Sequence, residues 1–339
     1  MNMKEAIDAV VRGNNLSIEE AMDVMNLIME GISTPVQTAS FLTALRMKSE
    51  TLDEMIGCAK VLQQKASHIS PKSGNYIDLV GTGGDGANTF NISTTTVFVV
   101  AAGGVPVAKH GNRSVSSKSG SADVLEELGV NIMLEPEKVQ KCVDEIGIGF
   151  MFAQKFIPKM KNVSPVRKDM GIRTIFNILG PLSNPSGAKA QVIGVFNPKL
   201  TEPYAQAMRA LGVERAVVMH GLDGMDEFTV SADTVVSEIK DGRVINYKVT
   251  PEQFGFERCL KEQLTGGDKV LNAKITKDIL TGTKGPKRDI VLLNSAYGLY
   301  AGGVVETIED GVDLAKEMID SGKAMQKLEQ LIEFTNRAE

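Results

Sequence analysis

From residue 75 onward the sequence alternates short apolar runs with amphipathic stretches that stop at glycine. The apolar runs predict strands at residues 76–80, 105–109, 131–134, 148–152, 190–196 and 216–220. Helices are predicted at 122–128, 136–146 and 202–211, each followed by a glycine that favours a helix C-terminus. Strands joined by crossover helices pair in parallel. The sequence therefore predicts an α/β fold with a mostly parallel central sheet flanked by helices.

The first 70 residues carry helix start signals and no run that resembles a strand. Ser17 and Thr51 are each followed three residues later by glutamate, which matches the capping box, and Thr34 precedes a proline. Apolar residues recur here at spacings of three and four, as in a helix that packs on other helices. We predict a small N-terminal helical domain over residues 1–70.

Three later segments depart from the alternation of strands and helices. Residues 158–187 contain two helical pieces interrupted by prolines, and we expect this segment to return to the helical domain. An Asp-Gly pair within residues 235–250 predicts a hairpin, and helices are predicted at 289–301 and 308–334. We assign residues 71–339 to one large α/β domain.

The composition of the chain argues against a nucleic-acid partner and against a membrane partner. The 339 residues are 42% hydrophobic, which is enough for a full core, and the formal net charge is −5 without a long basic run, so we expect no nucleic-acid partner. Three isolated cysteines favour a reducing, cytoplasmic compartment. The N-terminus lacks a signal-peptide pattern, and the longest uncharged run, residues 86–108, contains asparagine, glycine and proline. We therefore expect no membrane partner.

Residues 78–94 place four glycines and several small hydroxyl and amide side chains directly behind the first predicted strand. Glycine can adopt positive φ and let the backbone approach a ligand, so several N–H groups can turn toward one anion. We predict Ser93 as the N-cap of a helix over 94–102, whose N-terminus would add to the same favourable field. This segment predicts a phosphate-binding loop.

A second loop of the same kind follows the second predicted strand and carries positive charge. It comprises residues 109–113, with Lys109 and Arg113, and the serine-rich stretch 116–121. Both loops lie at the carboxyl ends of strands, where open α/β sheets bind ligands. A single glycine loop is only a tight turn about half the time, so two in tandem are the stronger signal.

Asp226 and Glu227 follow the last predicted parallel strand, at the same sheet edge as the two loops. An adjacent Asp-Glu pair by itself is more often a solvated turn than a metal site. Magnesium that bridges phosphates takes one or two carboxylates and keeps several waters. Together with the loops, the pair predicts a magnesium-bound diphosphate or polyphosphate.

Six short motifs occur in a fixed order, at residues 81–85, 91–94, 109–113, 117–123, 173–185 and 225–227. They resemble the anthranilate phosphoribosyltransferase family over about residues 5 to 335. The resemblance implies a helical domain hinged to a large α/β domain, a fold shared with pyrimidine nucleoside phosphorylases, and a homodimer through the helical domains. It also implies transfer of the phosphoribosyl group from 5-phosphoribosyl 1-diphosphate to anthranilate, in tryptophan biosynthesis, giving N-(5-phosphoribosyl)anthranilate and diphosphate.

The resemblance further implies a role for each matching residue. The expected contacts of phosphoribosyl diphosphate are Gly81, Gly84, Asp85, Thr89, Asn91, Ile92, Ser93, Thr94, Lys109, His110, Gly111, Asn112, Arg113, Ser114, Val115, Ser116, Ser117 and Ser121. The expected contacts of anthranilate are Gly81, Asn112 and Arg167, with Asn112 and the Arg167 guanidinium facing the carboxylate. The expected ligands of magnesium, as two ions, are Ser93, Asp226 and Glu227.

This reaction needs no protein nucleophile. Departure of diphosphate leaves charge on its oxygens and an oxocarbenium-like sugar, so metal, cations and N–H groups aimed at the leaving group matter most. The neutral amine of anthranilate is already nucleophilic. His110 is therefore a residue that lines the site and a candidate proton acceptor; the alternative is a strand-end histidine satisfied by backbone.

Two residues depart from the family pattern where the aromatic acid is expected to enter. Ile157 stands where the family usually has histidine, and Gln154 stands where it usually has proline. We expect the chain to accept anthranilate, with weaker capture.

Other function classes remain open from the sequence. A pyrimidine nucleoside phosphorylase would use the same fold but would not need the Asp226–Glu227 pair, so metal dependence separates the two. A phosphoribosyltransferase with a different aromatic amine as acceptor would keep the same donor site. A non-catalytic relative that binds nucleic acid would lack the carboxylates and carry a basic face.

Overall fold

The computed structural model describes residues 1–114 and 118–337. The helices in these ranges are α1 (Met3–Val11), α2 (Ile18–Met29), α3 (Pro35–Lys48), α4 (Leu52–Lys65), α5 (Ile92–Ala102), α6 (Ser121–Glu127), α7 (Pro136–Ile146), α8 (Ala153–Phe156), α9 (Ser164–Met170), α10 (Phe176–Leu182), α11 (Thr201–Ala210), α12 (Lys269–Leu280), α13 (Pro286–Ala301), α14 (Ile308–Asp320) and α15 (Lys323–Asn336). The strands are β1 (Ile77–Gly81), β2 (Val107–Gly111), β3 (Ile148–Phe152), β4 (Ala190–Gly194), β5 (Arg215–Gly221), β6 (Thr234–Lys240) and β7 (Arg243–Val249).

The strands form one sheet in the order β3-β2-β1-β4-β5-β6-β7. Strands β1 to β5 pair in parallel, and β6 and β7 add an antiparallel hairpin at the edge. The turn of this hairpin has positive φ at Asp241 (51°) and Gly242 (72°), the geometry for which Asp-Gly is favoured. The predicted fold class is confirmed: a small N-terminal helical domain and a large α/β domain with a mostly parallel sheet.

The helix start signals of the N-terminal part act as predicted. Ser17, Thr34 and Thr51 each accept a hydrogen bond from the backbone three residues later, and the side chain at that position returns a bond, so three capping boxes form. The segment 158–187 contacts these helices, since Asn162 Nδ2 donates to the Met29 carbonyl at 2.8 Å. The domain boundary near residue 70 remains a prediction.

The prolines of the segment 158–187 were expected to interrupt helices. Pro165 does not interrupt one. It lies in the first turn of α9, where a missing N–H costs nothing, whereas Pro181 lies inside α10.

The prediction of a strand at residues 131–134 is wrong. This segment has no ladder partner, and the Asn131 N–H instead donates to Thr335 Oγ1 of α15 at 3.2 Å. Ile132 and Leu134 are nevertheless buried. The apolar pattern therefore reflects packing under the C-terminal helix and not a place in the sheet.

The C-terminal helices differ from the prediction in number. The helix predicted at 308–334 is two helices, α14 and α15, separated at Gly322, which has φ +77°. Helix α12 was not predicted, although Asp268 caps it by accepting the Leu271 N–H at 2.9 Å. None of the helices in the described ranges is both long and apolar enough to cross a membrane.

The sheet separates two apolar clusters because successive strand residues point to opposite faces. Val192 and Val217 pack on one side with α5, α13 and α15, whereas Ile193 and Val218 pack on the other side with α11 and the N-terminal helices. This arrangement fixes the strand ends that carry the loops.

Candidate active site

The first glycine loop begins where β1 ends and is tied to the end of β4. The Thr82 N–H donates to the Gly194 carbonyl at 2.8 Å. Gly83, Gly84 and Gly86 have φ of +71°, +73° and +74°, a region that other residues rarely adopt. The loop therefore has the backbone geometry that the glycine pattern predicts.

The two carboxylates at the end of β5 lie against this loop. Asp226 Oδ2 accepts the Gly83 N–H at 2.6 Å, and Glu227 Oε1 accepts the Ser93 N–H at 3.1 Å. A Cβ placed on Gly81 would lie 2.8 Å from Asp226 Cγ, so only glycine leaves room for this carboxylate. The structure thus brings together the sequence-predicted loop and acidic pair.

Other groups of the protein offset the negative charges of these two carboxylates only in part. Burial raises the pKa of Asp226 well above its ordinary range, and the nearby charges of Asp85 and Glu227 raise it further. Burial also raises the pKa of Glu227 to about 7, although the Lys109 charge opposes this shift. Two buried like charges of this kind favour a divalent cation.

The donor set is the one that magnesium uses with phosphates. Across the described residues, no group of three or more His, Cys, Asp and Glu side chains is arranged to hold a metal ion. Magnesium in phosphate sites needs only one or two carboxylates, because waters and substrate oxygens complete its shell. Asp226 and Glu227 therefore fit a magnesium ion that arrives with a phosphate ligand.

Lys109 lies beneath the loop and does not extend into solvent. Its Nζ donates to the Leu79 carbonyl at 2.5 Å, and the side chain is 2% exposed. Burial lowers the pKa of Lys109, while the charges of Asp78 and Glu227 oppose this shift. The ammonium therefore supplies a positive field below the first glycine loop.

Two acidic residues of α6 contact Arg113 and Ser114 at the second loop. Arg113 Nη1 lies 3.0 Å from Asp123 Oδ1 and 2.9 Å from Glu126 Oε2, and the guanidinium carbon lies 5.6 Å from the Phe152 ring centroid. Asp123 also accepts the Ser114 N–H at 3.1 Å. Arg113 is thus paired with two carboxylates of α6 instead of presenting a free cation.

Three other residues predicted to contact the donor, Ser121, Gly111 and Thr89, make contacts within the protein. Ser121 begins α6 and donates to the Asn112 carbonyl at 3.2 Å, and a Cβ on Gly111 would meet the Phe150 ring at 2.7 Å. Thr89 forms an isolated β-bridge with Thr265. The predicted residues Val115, Ser116 and Ser117 lie outside the described residues.

Arg167 lies on α9, on a segment distant in sequence from both loops. Its guanidinium carbon is 5.1 Å from the Phe176 ring centroid, and burial lowers its pKa. No carboxylate of residues 1–114 or 118–337 lies within 4 Å of this guanidinium. The structure shows no direct contact between Arg167 and Asn112 or Gly81, so its assignment to the same ligand remains a prediction.

The sequence matches two parts of one family. Residues 4–66 match the helical bundle domain of the glycosyl transferase family, and residues 73–325 match its a/b domain. Anthranilate phosphoribosyltransferase of Acetivibrio thermocellus is 59% identical over 334 residues, covering 98% of this chain and 97% of that protein. The chain belongs to the anthranilate phosphoribosyltransferase family.

Solved structures of anthranilate phosphoribosyltransferases have the same fold. The Thermus thermophilus structure is 42% identical, with a TM-score of 0.93 over 98% of this chain and 99% of that chain. A Saccharomyces cerevisiae structure in complex with PRPP and Mg is 28% identical, with a TM-score of 0.90 over 98% of this chain and 97% of that chain.

These comparisons confirm the activity that the motifs predicted. The chain is an enzyme that transfers the phosphoribosyl group from 5-phosphoribosyl 1-diphosphate to anthranilate, giving N-(5-phosphoribosyl)anthranilate and diphosphate in tryptophan biosynthesis. They support this transfer and not nucleoside phosphorolysis.

The prediction that Ser93 caps the helix after the first loop is wrong. The helix after the first loop begins at Ile92 with Asn91 as its N-cap, so Ser93 is in the first turn and not at the cap. The Ser93 N–H bonds to Glu227, a residue that is 134 positions away in the sequence. Ile92 and Thr94 are each only 1% exposed, backbone and side chain together, so their contact with the donor remains a prediction.

Three residues that hold the site were missed. Arg173 Nη2 donates to the Gly84 carbonyl and its guanidinium carbon lies 4.5 Å above the Phe196 ring. Asn272 Nδ2 donates to Asn91 Oδ1 at 2.9 Å. Arg173 and Asn184 lie in the family motif at 173–185 and could have been chosen from it, but nothing near Asn272 in the sequence indicates its role.

Asn184 acts beneath the second loop through a buried carboxylate. Its Nδ2 donates to Asp78 Oδ2 at 2.5 Å, while Asp78 Oδ1 accepts the His110 N–H at 3.2 Å. Burial raises the pKa of Asp78 to about 6, opposed by the Lys109 charge and these hydrogen bonds. The loop strands β1 and β2 are thereby joined through Asp78.

We expect His110 to make the fold sensitive to acid. Burial lowers its pKa from 6.5 to about 4, so the neutral ring is favoured in the folded state. This contribution to stability is present above about pH 6.5 and is lost as pH falls toward 4. At about pH 5 the parent should lose about 2 kcal/mol more unfolding free energy than His110→Asn, each relative to its own value near pH 8. Urea unfolding at both pH values measures this, and equal acid losses would contradict it.

Proposed function

We propose that the two loops bind phosphoribosyl diphosphate, that Ser93, Asp226 and Glu227 hold magnesium, and that Arg167 binds the carboxylate of anthranilate. One observation carries this proposal: two buried carboxylates with raised pKa values lie against the N–H groups of the first glycine loop. The yeast relative, solved with PRPP and Mg, supports the same ligands.

The donor is proposed to lie along both loops. Gly81, Gly84 and Asp85 would face it from the first loop. The segment from Lys109 to Ser121 would face it from the second, with residues 115–117 assigned from the sequence motif alone. Backbone N–H groups of the first loop other than those of Gly83 and Ser93, which donate to Asp226 and Glu227, would face the phosphate oxygens. The field of Lys109 adds to this attraction from below.

Asp226 and Glu227 would hold magnesium from the protein side, in a proposed total of two ions. Magnesium, when bound, would offset charge on the departing diphosphate oxygens. The residues of the chain keep the geometry ready, because the Gly83 and Ser93 N–H groups already fix both carboxylates. Preorganised groups of this kind need not reorganise during the reaction.

The acceptor would be oriented by Arg167 and not activated by a strong base. A planar guanidinium supported by the Phe176 ring suits a benzoate carboxylate. After the new bond to ribose forms, the cationic nitrogen readily loses a proton, so even a weak base suffices. His110, neutral because of its low pKa, is the proposed proton acceptor.

We also propose that the enzyme is a cytoplasmic homodimer formed through its helical domain. Four strongly exposed apolar side chains lie on the first three helices and their connections: Val11, Ile32, Val36 and Met47 are 67%, 68%, 75% and 83% exposed. The three cysteines are free, which suits a reducing compartment. Sedimentation of the parent and of Val36→Glu/Met47→Glu tests the dimer.

The direct test of the proposed ligands is loss of anthranilate fluorescence with purified enzyme, magnesium and phosphoribosyl diphosphate. We expect a loss that needs all three components and stops when EDTA is added. Binding of phosphoribosyl diphosphate without turnover of anthranilate would instead favour a different aromatic amine as acceptor, which a screen of substituted anilines would identify.

Replacing Ile157 with histidine is expected to raise kcat/KM for anthranilate severalfold, because the family usually has histidine there. Ile157 is 3% exposed within the apolar cluster that includes Phe156 and Val163, so the variant should lose about 1–3 kcal/mol of stability. Initial rates and urea unfolding separate the two effects, with Ile157→Asn as the control for polarity. A folded histidine variant with kcat/KM no better than the parent would contradict weaker capture.

A further inference from the structure

An open cavity of about 500 Å³ lies at the edge of the sheet formed by β6 and β7, bounded by α13 and the beginning of α14. It is separate from the phosphate loops. Glu238, on its floor, pairs in the sheet with Val217 near the beginning of β5, whereas the magnesium carboxylates follow the other end of that strand at Gly221. None of the roles assigned above uses this cavity.

Aromatic rings form much of its wall. Tyr247, Phe254, Tyr297 and Tyr300 all line it. The Tyr297 ring stacks on Phe228 with centroids 3.6 Å apart, and Phe254 meets Tyr297 edge-on at 6.1 Å. The rings are therefore held in place, and the face of an aromatic ring attracts cations.

Glu238 gives the cavity a buried negative charge. Its side chain is 8% exposed, and its two oxygens accept the Tyr247 hydroxyl at 2.9 Å and the Tyr300 hydroxyl at 2.8 Å. In the described ranges, no lysine, arginine or histidine nitrogen lies within 4 Å of this carboxylate. Buried carboxylates are normally paired with a cation, and each oxygen of Glu238 can accept a further hydrogen bond.

The mouth of the cavity is also negatively charged. Glu306 and Glu309 line it and are exposed, and its described lining contains no basic residue. Outside the lining, Lys240 Nζ lies 2.9 Å from the Tyr300 hydroxyl and 5.5 Å from the centroid of that ring. The chain thus already places one ammonium group against a tyrosine of this wall.

We propose that this cavity binds a small organic cation, an ammonium group on an apolar body. The charge lies toward Glu238, and the apolar body lies on the tyrosine rings. The volume is in the range of small-molecule sites. Aromatic faces beside a carboxylate are the chemistry that recognises alkylammonium ions, and Glu238 has no direct ion pair in the described chain, since Lys240 reaches it only through the Tyr300 hydroxyl.

Tyrosine fluorescence provides a local test. The chain has no tryptophan and five tyrosines, and three of the five, Tyr247, Tyr297 and Tyr300, line the cavity. The probe is choline chloride, compared with sodium chloride at equal ionic strength and with 3,3-dimethylbutan-1-ol, a neutral molecule of the same shape. We expect a saturable fluorescence change with choline and at least tenfold weaker binding of the alcohol, with calorimetry as a second measurement.

Glu238→Gln keeps the size and the acceptor oxygen but removes the charge. We expect it to weaken choline binding at least tenfold while anthranilate turnover is unchanged. Because this buried variant could lose stability, Glu306→Gln/Glu309→Gln is the second variant, expected to weaken binding about threefold through the field at the mouth. Equal binding of choline and the alcohol, no saturable binding of choline to the folded parent, or unchanged affinity in the folded variants would each overturn the proposal.

Discussion

Glu227→Gln is expected to lower kcat by about 100- to 1000-fold, the cost typical of losing one preorganised group that stabilises charge in a transition state. The variant keeps the shape of the side chain and an oxygen that can accept the Ser93 N–H, so the loop should stay in place. What is lost is one of two negative charges available for magnesium. Steady-state kcat across a range of magnesium concentrations, with both substrates saturating, measures the effect.

Glu238→Gln is the matched control for this experiment. Glu238 and Glu227 are 8% and 9% exposed, but Glu238 faces the cavity at the sheet edge and not the loops. Its kcat should equal that of the parent. In EDTA, Glu227→Gln should be at least as stable as the parent, because it removes a buried charge beside Asp226. If Glu227→Gln kept the kcat and the magnesium dependence of the parent, Glu227 would not be a magnesium ligand.

Arg167→Met is expected to raise KM for anthranilate about 100-fold, since removing one partner of a desolvated charge pair commonly costs about 2–5 kcal/mol. The guanidinium is half-buried over Phe176 and has no carboxylate partner in the described chain, so an incoming benzoate carboxylate would be its counter-ion. Methionine preserves the apolar contact with the ring. Initial rates at saturating phosphoribosyl diphosphate provide the KM.

Two controls separate this role from general positive charge. Lys168→Met removes an exposed charge on the next residue and should change KM by less than about twofold. Aniline, which lacks the carboxylate, should react with the parent and with Arg167→Met at similar kcat/KM. If Arg167→Met weakened anthranilate and aniline equally, the carboxylate would not be what Arg167 binds.

Much of the fold could be predicted because its signals are local. Glycine after a helix, a capping box at Ser17 or Thr51, and Asp241-Gly242 in a hairpin each act through residues that are neighbours in the sequence. The strand predicted at 131–134 failed for the opposite reason. Its apolar residues are buried, but burial does not say whether a strand or a helix supplies the partner.

The candidate site divides in the same way. The glycine loops and the Asp226–Glu227 pair were found because their residue types, order and position behind strands are written in the sequence. The cap assigned to Ser93 was wrong because its N–H bonds to Glu227, which local pattern cannot reveal. Likewise, Arg113 suggested a free cation for phosphate, yet in the structure Asp123 and Glu126 hold it.

The sequence by itself determined the α/β architecture, the position of the two loops behind their strands, the acidic pair and the family, because periodicity, glycine position and motif order are properties of short segments. Only the tertiary structure decided which groups hold that machinery in place. Arg173 reaches Gly84 across 89 positions, Asn272 reaches Asn91 across 181, and the Lys109 ammonium lies under the loop between Asp78 and Glu227. Such contacts depend on how the strands and helices are packed, and packing is a property of the whole chain.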